Sequence, residues 1–231
     1  MVQILNVILE GIVGSTAYGM ARAGSDVDML GVYVAPTDQV LGLTPPTDAT
    51  STVVHRDPDI THHELVKYCR LALKCNPTIT ELLWLDNHTV RTSSGALLVA
   101  LRRSFLSGQH VRNAYFGYAS QQFYRIERRE SNDFSSDTKH RTAKHARHLY
   151  RLLVQGFDLW TKGKLQVQVD DPQKYFDFGD QVQAGDLDVA QKLLARYEYE
   201  FNQTPTVLPA EPDTQAIHRA VLTIRRTLDH H

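Results

Sequence analysis

Asp26 and Asp28 stand two residues apart at the head of the apolar run DVDMLGVYV. In a strand, residues i and i+2 share a face, so both carboxylates point the same way, with Val27 and Met29 on the other side. Such a pair suits Mg²⁺, which takes one or two protein carboxylates and completes its shell with phosphate and water. Upstream, Gly14 lets the backbone approach a phosphate closely, Ser15 offers a hydroxyl, and a helix opening after them offers N–H groups to an anion. Each signal has an ordinary alternative: an Asp-x-Asp pair can be a solvated turn, and Gly-Ser can be a plain one. Their order gives them weight, because an apolar run, Gly-Ser, ten intervening residues and Asp-x-Asp opening a second apolar run occur in sequence. That combination fits phosphoryl or nucleotidyl transfer, in which Mg²⁺ neutralises phosphate charge and clamps the attacking and leaving oxygens.

The elements that must position these groups follow from periodicity. Residues 2–9, VQILNVIL, read as a strand leading into the Gly-Ser turn. A short helix is expected from Ser15 to Arg22, stopped near Gly24, then a strand from Asp26 to Val34 and another from Ser51 to His55. From Thr61 the pattern turns helical, with Leu65, Tyr68, Cys69, Ala72 and Leu73 at three- and four-residue steps, and it restarts after Asn76-Pro77. Beyond His88, helices are expected over 94–106, 109–129, about 137–162, 187–202 and 214–229, with an extended piece, LQVQVDD, after Gly163. The fold class is α/β (α+β): a small mixed-sheet domain over 1–92, then a helical domain over 93–231.

A chain of 231 residues with 42% hydrophobics buries a real core. Cys69 and Cys75 lie six apart in a helical stretch, which points them to different faces and suits neither a disulfide nor a zinc site. No run approaches the roughly 18 apolar residues of a membrane span, and the N-terminus lacks a signal-peptide pattern, so a cytoplasmic protein with no membrane partner is expected. The net charge of −1 argues against a protein that coats nucleic acid, yet residues 102–151 hold 11 Lys+Arg against 4 Asp+Glu. This basic middle is either a solvated helix surface or the holder of an anionic ligand.

Within it, TAKHARHLYRLLVQGFDLW separates into two faces at 100° per residue. Ala146, Leu149, Leu153, Phe157 and Trp160 form a core stripe, and Lys144, His148, Arg151 and Gln155 fall opposite. The expectation is a basic row turned away from the core.

The string GSTAYGMARAGSDVDMLGVYV resembles the RlaP-like family of the DNA polymerase beta nucleotidyltransferase superfamily. The likeness continues through Asn76-Pro77 and Glu81-Leu82-Leu83-Trp84, through the Lys144, Ala146, His148, Leu149, Arg151 pattern, and into the tail LPAEPDTQAIHRAVLTIRRTL; it is loosest over 164–205. It implies a nucleotidyltransferase domain completed by a helical one, and transfer of a nucleoside monophosphate from an NTP donor to an RNA end, protein or small molecule, in connection with RNA repair. It implies Mg²⁺, two ions with Mn²⁺ as a substitute, and a third carboxylate on a strand beside the first pair. Asp59, in PDITHHEL, is the choice, with Asp57 and Glu64 as alternatives; a cap on the following helix is the competing assignment for Asp59. Catalytic and metal-binding roles then fall to Asp26, Asp28 and Asp59, and phosphate contacts to Gly14, Ser15, Lys144, His148 and Arg151. Glu81 is read as a cap or a brace, not as a catalytic group. Two other classes compete: a non-catalytic nucleotide or RNA sensor keeping the fold, and an RNA-binding accessory protein using the basic middle. Oligomeric state has no sequence signal.

Overall fold

Among the described residues five short strands form one mixed sheet: β1 (Val7–Val13), β2 (Asp28–Tyr33), β3 (Thr52–Arg56), β4 (Asp59–Glu64) and β5 (Val90–Arg91), in the order β3-β4-β2-β1-β5. The computed structural model describes residues 5–56, 58–130 and 136–228. Among the described residues only the β2–β4 pair is parallel. β2 is the central strand, and its Leu30, Gly31, Val32 and Tyr33 are all buried. Burial on both faces is why its sequence is a continuous apolar run without polar alternation.

The first strand starts later than expected and continues through Gly11 to Val13, so the turn begins at Gly14; residues 2–4 lie outside the described residues. The helix after it, α1 (Gly14–Ala17), is a single turn, ended at Gly19 with φ +71°. THHE is strand, not the start of a helix. Thr61 to Glu64 pair residue by residue with Leu30 to Tyr33, and this tertiary pairing overrides the local helical pattern. The helix α3 opens at Leu65 (Leu65–Leu73), after α2 (Thr37–Leu41). Glu64 caps it, accepting from the Val66 N–H at 2.7 Å. The next helix, α4 (Pro77–Leu82), has Asn76 as its cap and Pro77 in its first turn.

Further on, α5 (Ser93–Ala100) leads through a 3-10 turn (Arg102–Phe105) to α6 (Gly108–Glu130) and α7 (Ser136–Lys162). α8 (Pro172–Gln183) has no counterpart among the expected helices; α9 (Leu187–Gln203) and α10 (Thr214–Leu228) follow it. The signal for α8 is present in the sequence: Asp171 caps, Pro172 occupies the first turn, and Tyr175, Phe178 and Val182 form a buried stripe. Among the described residues no helix is long and apolar enough to cross a membrane.

The chain divides into two compact units, Met1–Leu106 with Pro212–His231, and Ser107–Glu211. This grouping differs from the expected break at 92/93, because α5 and α10 pack with the sheet unit. α10 buries Ile217, Ala220 and Ile224, and a buried Ile side chain contributes about 1.5–3 kcal/mol. Its Arg225 pairs with Glu64 at 2.7 Å and also donates to the Ala35 carbonyl at 3.3 Å. The second unit is α6 to α9, with α7 packed against each of the other three.

Candidate active site

β1 ends at Val13, directly opposite Asp28, the first residue of β2. Gly14 then turns the backbone with φ +69°, and a Cβ there would lie 2.6 Å from Asp28 Oδ2. Both the left-handed conformation and the close approach require glycine. The Gly-Ser turn and the Asp-x-Asp segment therefore touch directly, backbone against carboxylate. Ser15 follows, half-buried, in a helix of four residues that offers the N–H groups of one turn rather than a long helix dipole.

This short turn is anchored from below. The Tyr18 hydroxyl donates to Glu81, 2.8 Å from Oε1 and 2.7 Å from Oε2, and Glu81 is 0% exposed on α4. Glu81 thus braces the segment that carries Gly14 and Ser15. A second buried pair lies within the sheet: His62 Nε2 sits 2.7 Å from Glu10 Oε2, with the His62 ring over Gly31, where a Cβ would collide with it. Neither pair was expected beyond the bracing role of Glu81. A Glu at an interior position of VILEGIV was the available signal for the second.

Asp59 opens β4 as the direct partner of Asp28. Partners on adjacent parallel strands are about 4.8 Å apart and project to the same face, so these two carboxylates stand side by side at the strand entrances. Asp28 is half-buried and Asp59 exposed, while Asp26 is exposed in the extended lead-in two residues before β2. The competing role of Asp59 as a helix cap does not hold, since Glu64 fills it. Glu64 sits at the far end of β4, opposite Tyr33, and is committed to its cap and to Arg225. Asp57 lies outside the described residues. Among the described residues no group of three or more His, Cys, Asp or Glu is gathered closely enough to hold a metal ion. The arrangement is a neighbouring pair with a third carboxylate two residues upstream.

In the second unit the expected basic row on α7 needs correction. The core stripe is as expected, with Ala146, Leu149 and Leu153 buried, but the opposite face is buried too: Arg151 is 1% exposed and Gln155 is 3% exposed. Arg151 donates from Nη1 to Gln155 Oε1 and from Nη2 to His148 Nδ1 at 3.1 Å. Gln155 in turn donates to the carbonyls of Gln166 at 3.0 Å and Val167 at 3.1 Å. His148 accepts at Nδ1, so its proton is on Nε2, and burial followed by the nearby Arg151 pushes its pKa down to about 3. Of the four polar residues only Lys144 is exposed. The cause is the central place of α7 in its unit, where Leu152 and Leu159 are buried beside the stripe, and a helix surrounded on several sides has no single solvent face.

The site thus joins a Gly-Ser turn to the carboxylate that opens the central strand of a mixed sheet. Residues 2–197 match the family model of RlaP, the RNA repair pathway DNA polymerase beta family, and the chain belongs to that family. The description implies a DNA polymerase beta-like nucleotidyltransferase connected with RNA repair. Comparison with curated proteins gives no match.

Proposed function

We propose that the chain transfers a nucleoside monophosphate from an NTP to a hydroxyl acceptor, with release of pyrophosphate. The observation that carries this reading is the register of Asp28 with Asp59, next to a glycine turn whose backbone abuts the Asp28 carboxylate. The donor set is all hard oxygen and fits Mg²⁺, for which two protein carboxylates are enough. Asp28 and Asp59, with Asp26 at the lead-in, would hold it; when bound it supplies charge neutralisation at the phosphates, and Mn²⁺ is the expected substitute.

The chain's own groups do the rest. The backbone of Gly14 and the hydroxyl of Ser15 hold phosphate oxygens, and the Tyr18–Glu81 bond keeps that turn in place. The acceptor oxygen attacks the α-phosphorus, its proton passes to the Asp59 carboxylate, and the bond to the bridging oxygen breaks to release pyrophosphate.

Pyrophosphate release with each NTP in turn, for wild type and for Asp26→Ala with Asp28→Ala, tests the reading. Release by the double variant at the wild-type rate would end it. Tight nucleotide binding by the wild type with no release would favour the sensor class instead.

A further inference from the structure

β3 is the outer strand on one side of the sheet, and its last residue, Arg56, pairs with Asp59, which in turn pairs with Asp28. Paired residues on adjacent strands project to the same face, and each step between strands is about 4.8 Å. Thr52 and His63, partners at the other end of the same two strands, show this directly: Oγ1 and Nδ1 meet at 2.9 Å. Asp28, Asp59 and Arg56 therefore form one row across three strands, with Arg56 beyond Asp59 on the side away from Gly14. Arg56 is exposed, and among the described residues it makes no ion pair, not even with Asp59. A charge on an edge strand deters edge-to-edge pairing wherever it stands along that strand, which leaves its place level with the carboxylates unexplained. The next row on the same face holds Val54 and Thr61. Val54 is 56% exposed and Thr61 half-buried, so this floor beyond the carboxylates is open.

We propose that Arg56 holds a phosphate monoester of the acceptor, so that the site selects hydroxyls with such a group close by. The proposal rests on the nucleotidyl-transfer reading and adds the acceptor class to it. In that reading the donor phosphates lie at Gly14 and Ser15, on the β1 side of Asp28, and the acceptor gives its proton to Asp59. The acceptor then enters from the β3 side, where Arg56 is the charge it meets first. A guanidinium offers a phosphate two parallel N–H donors and offsets the repulsion between an anionic acceptor and the carboxylate pair. A dianion gains about twice what a carboxylate gains from the same cation, which sets a phosphate monoester above a carboxylic acid. Val54 gives the body of the acceptor an apolar contact, and Thr61 gives it a hydroxyl. One cation in these two rows serves one phosphate. A small phosphorylated alcohol and a polymer end with a terminal phosphate both offer that group.

The test is an NMR titration of the full chain, with Mg²⁺ and without NTP, by ribose 5-phosphate and by ribose. A second pair of probes, a 12-nucleotide strand with and without a terminal phosphate, tells the two sources apart. Within at least one pair, wild type should bind the phosphorylated probe about tenfold more tightly, the lower end of what hydrogen bonds to a charged group contribute. Arg56→Gln should remove that preference, and Arg56→Lys should keep part of it, because Lys meets phosphate as a point charge. Ser15→Ala, on the donor side, should keep it whole. A chain that releases no pyrophosphate yet shows this Arg56-dependent preference would end the catalytic reading and leave the phosphate site standing. Equal affinity within both pairs would overturn the proposal, as would a wild-type preference in Arg56→Gln or its loss in Ser15→Ala.

Discussion

Tyr18 and Glu81, 63 residues apart, are joined by the Tyr18 hydroxyl, which lies within 2.8 Å of both carboxylate oxygens in a buried setting. The bond ties the one-turn helix after Gly14 to α4, and so gives the phosphate turn a rigid support that four residues of helix cannot supply. Tyr18→Phe removes a donor from a buried carboxylate, which costs about 1–3 kcal/mol. Urea unfolding should show that loss, and KM for NTP should rise more than kcat falls. An unchanged KM would separate Tyr18 from nucleotide binding.

Asp59 and Glu64 open and close the same strand and have different work. Asp59→Asn should lower turnover at least a hundredfold while leaving the urea midpoint near wild type. Glu64→Gln should do the reverse, because it weakens the helix cap and leaves Arg225 without its buried partner; breaking a buried pair costs about 3–5 kcal/mol. Full activity in Asp59→Asn would remove it from the mechanism.

Gly14→Ala places a methyl group against the Asp28 carboxylate at a positive φ. The conformation alone costs an L-residue about 1–2 kcal/mol. Activity should fall further than stability does, because the carboxylate must move; a variant with wild-type turnover would show that the close approach has no catalytic weight.

His148 makes stability depend on acidity. Its ordinary pKa of about 6.5 in the unfolded chain is pushed down to about 3 in the fold, first by burial and then by Arg151 and the other cations. The unfolded chain therefore takes a proton that the folded one resists. The stabilisation is complete above about pH 6.5 and drains as pH falls toward 3, with a limiting slope of about 1.4 kcal/mol per pH unit. Burial lowers His63 to about 4 with the same sign in the other unit. Denaturation midpoints between pH 7 and pH 4.5 should fall more steeply for wild type than for His148→Gln, and equal slopes would show that His148 is not the titrating group.

Local patterns made most of the long helices legible, since α7, α9 and α10 each carry a periodic apolar stripe. The strand THHE was not, because its helical periodicity is local while its true partner, Leu30 to Tyr33, lies 31 residues upstream. Asp59 could be chosen as a residue, but its place directly beside Asp28 depends on a parallel register that no local pattern encodes. Arg151 misled for another reason. Charge on a helix face predicts solvent only when one face is packed, and α7 is packed on several. Glu81 could be seen as a brace, though not what it braced, because its partner is far away in the chain.

The chain leaves the sheet unit after Leu106 and rejoins it at Pro212, and the Arg225–Glu64 pair spans 161 residues. On the ribosome, Arg225 emerges only after all of α6 to α9. Until then Glu64, at the end of the strand that begins with Asp59, stays without its counter-charge, and the sheet lacks its closing helix. Pairings of such long range form slowly. The part of the molecule that holds the carboxylate pair is thus synthesised before α6 to α9 and completed only after them, a built-in delay between making the site and making it stable.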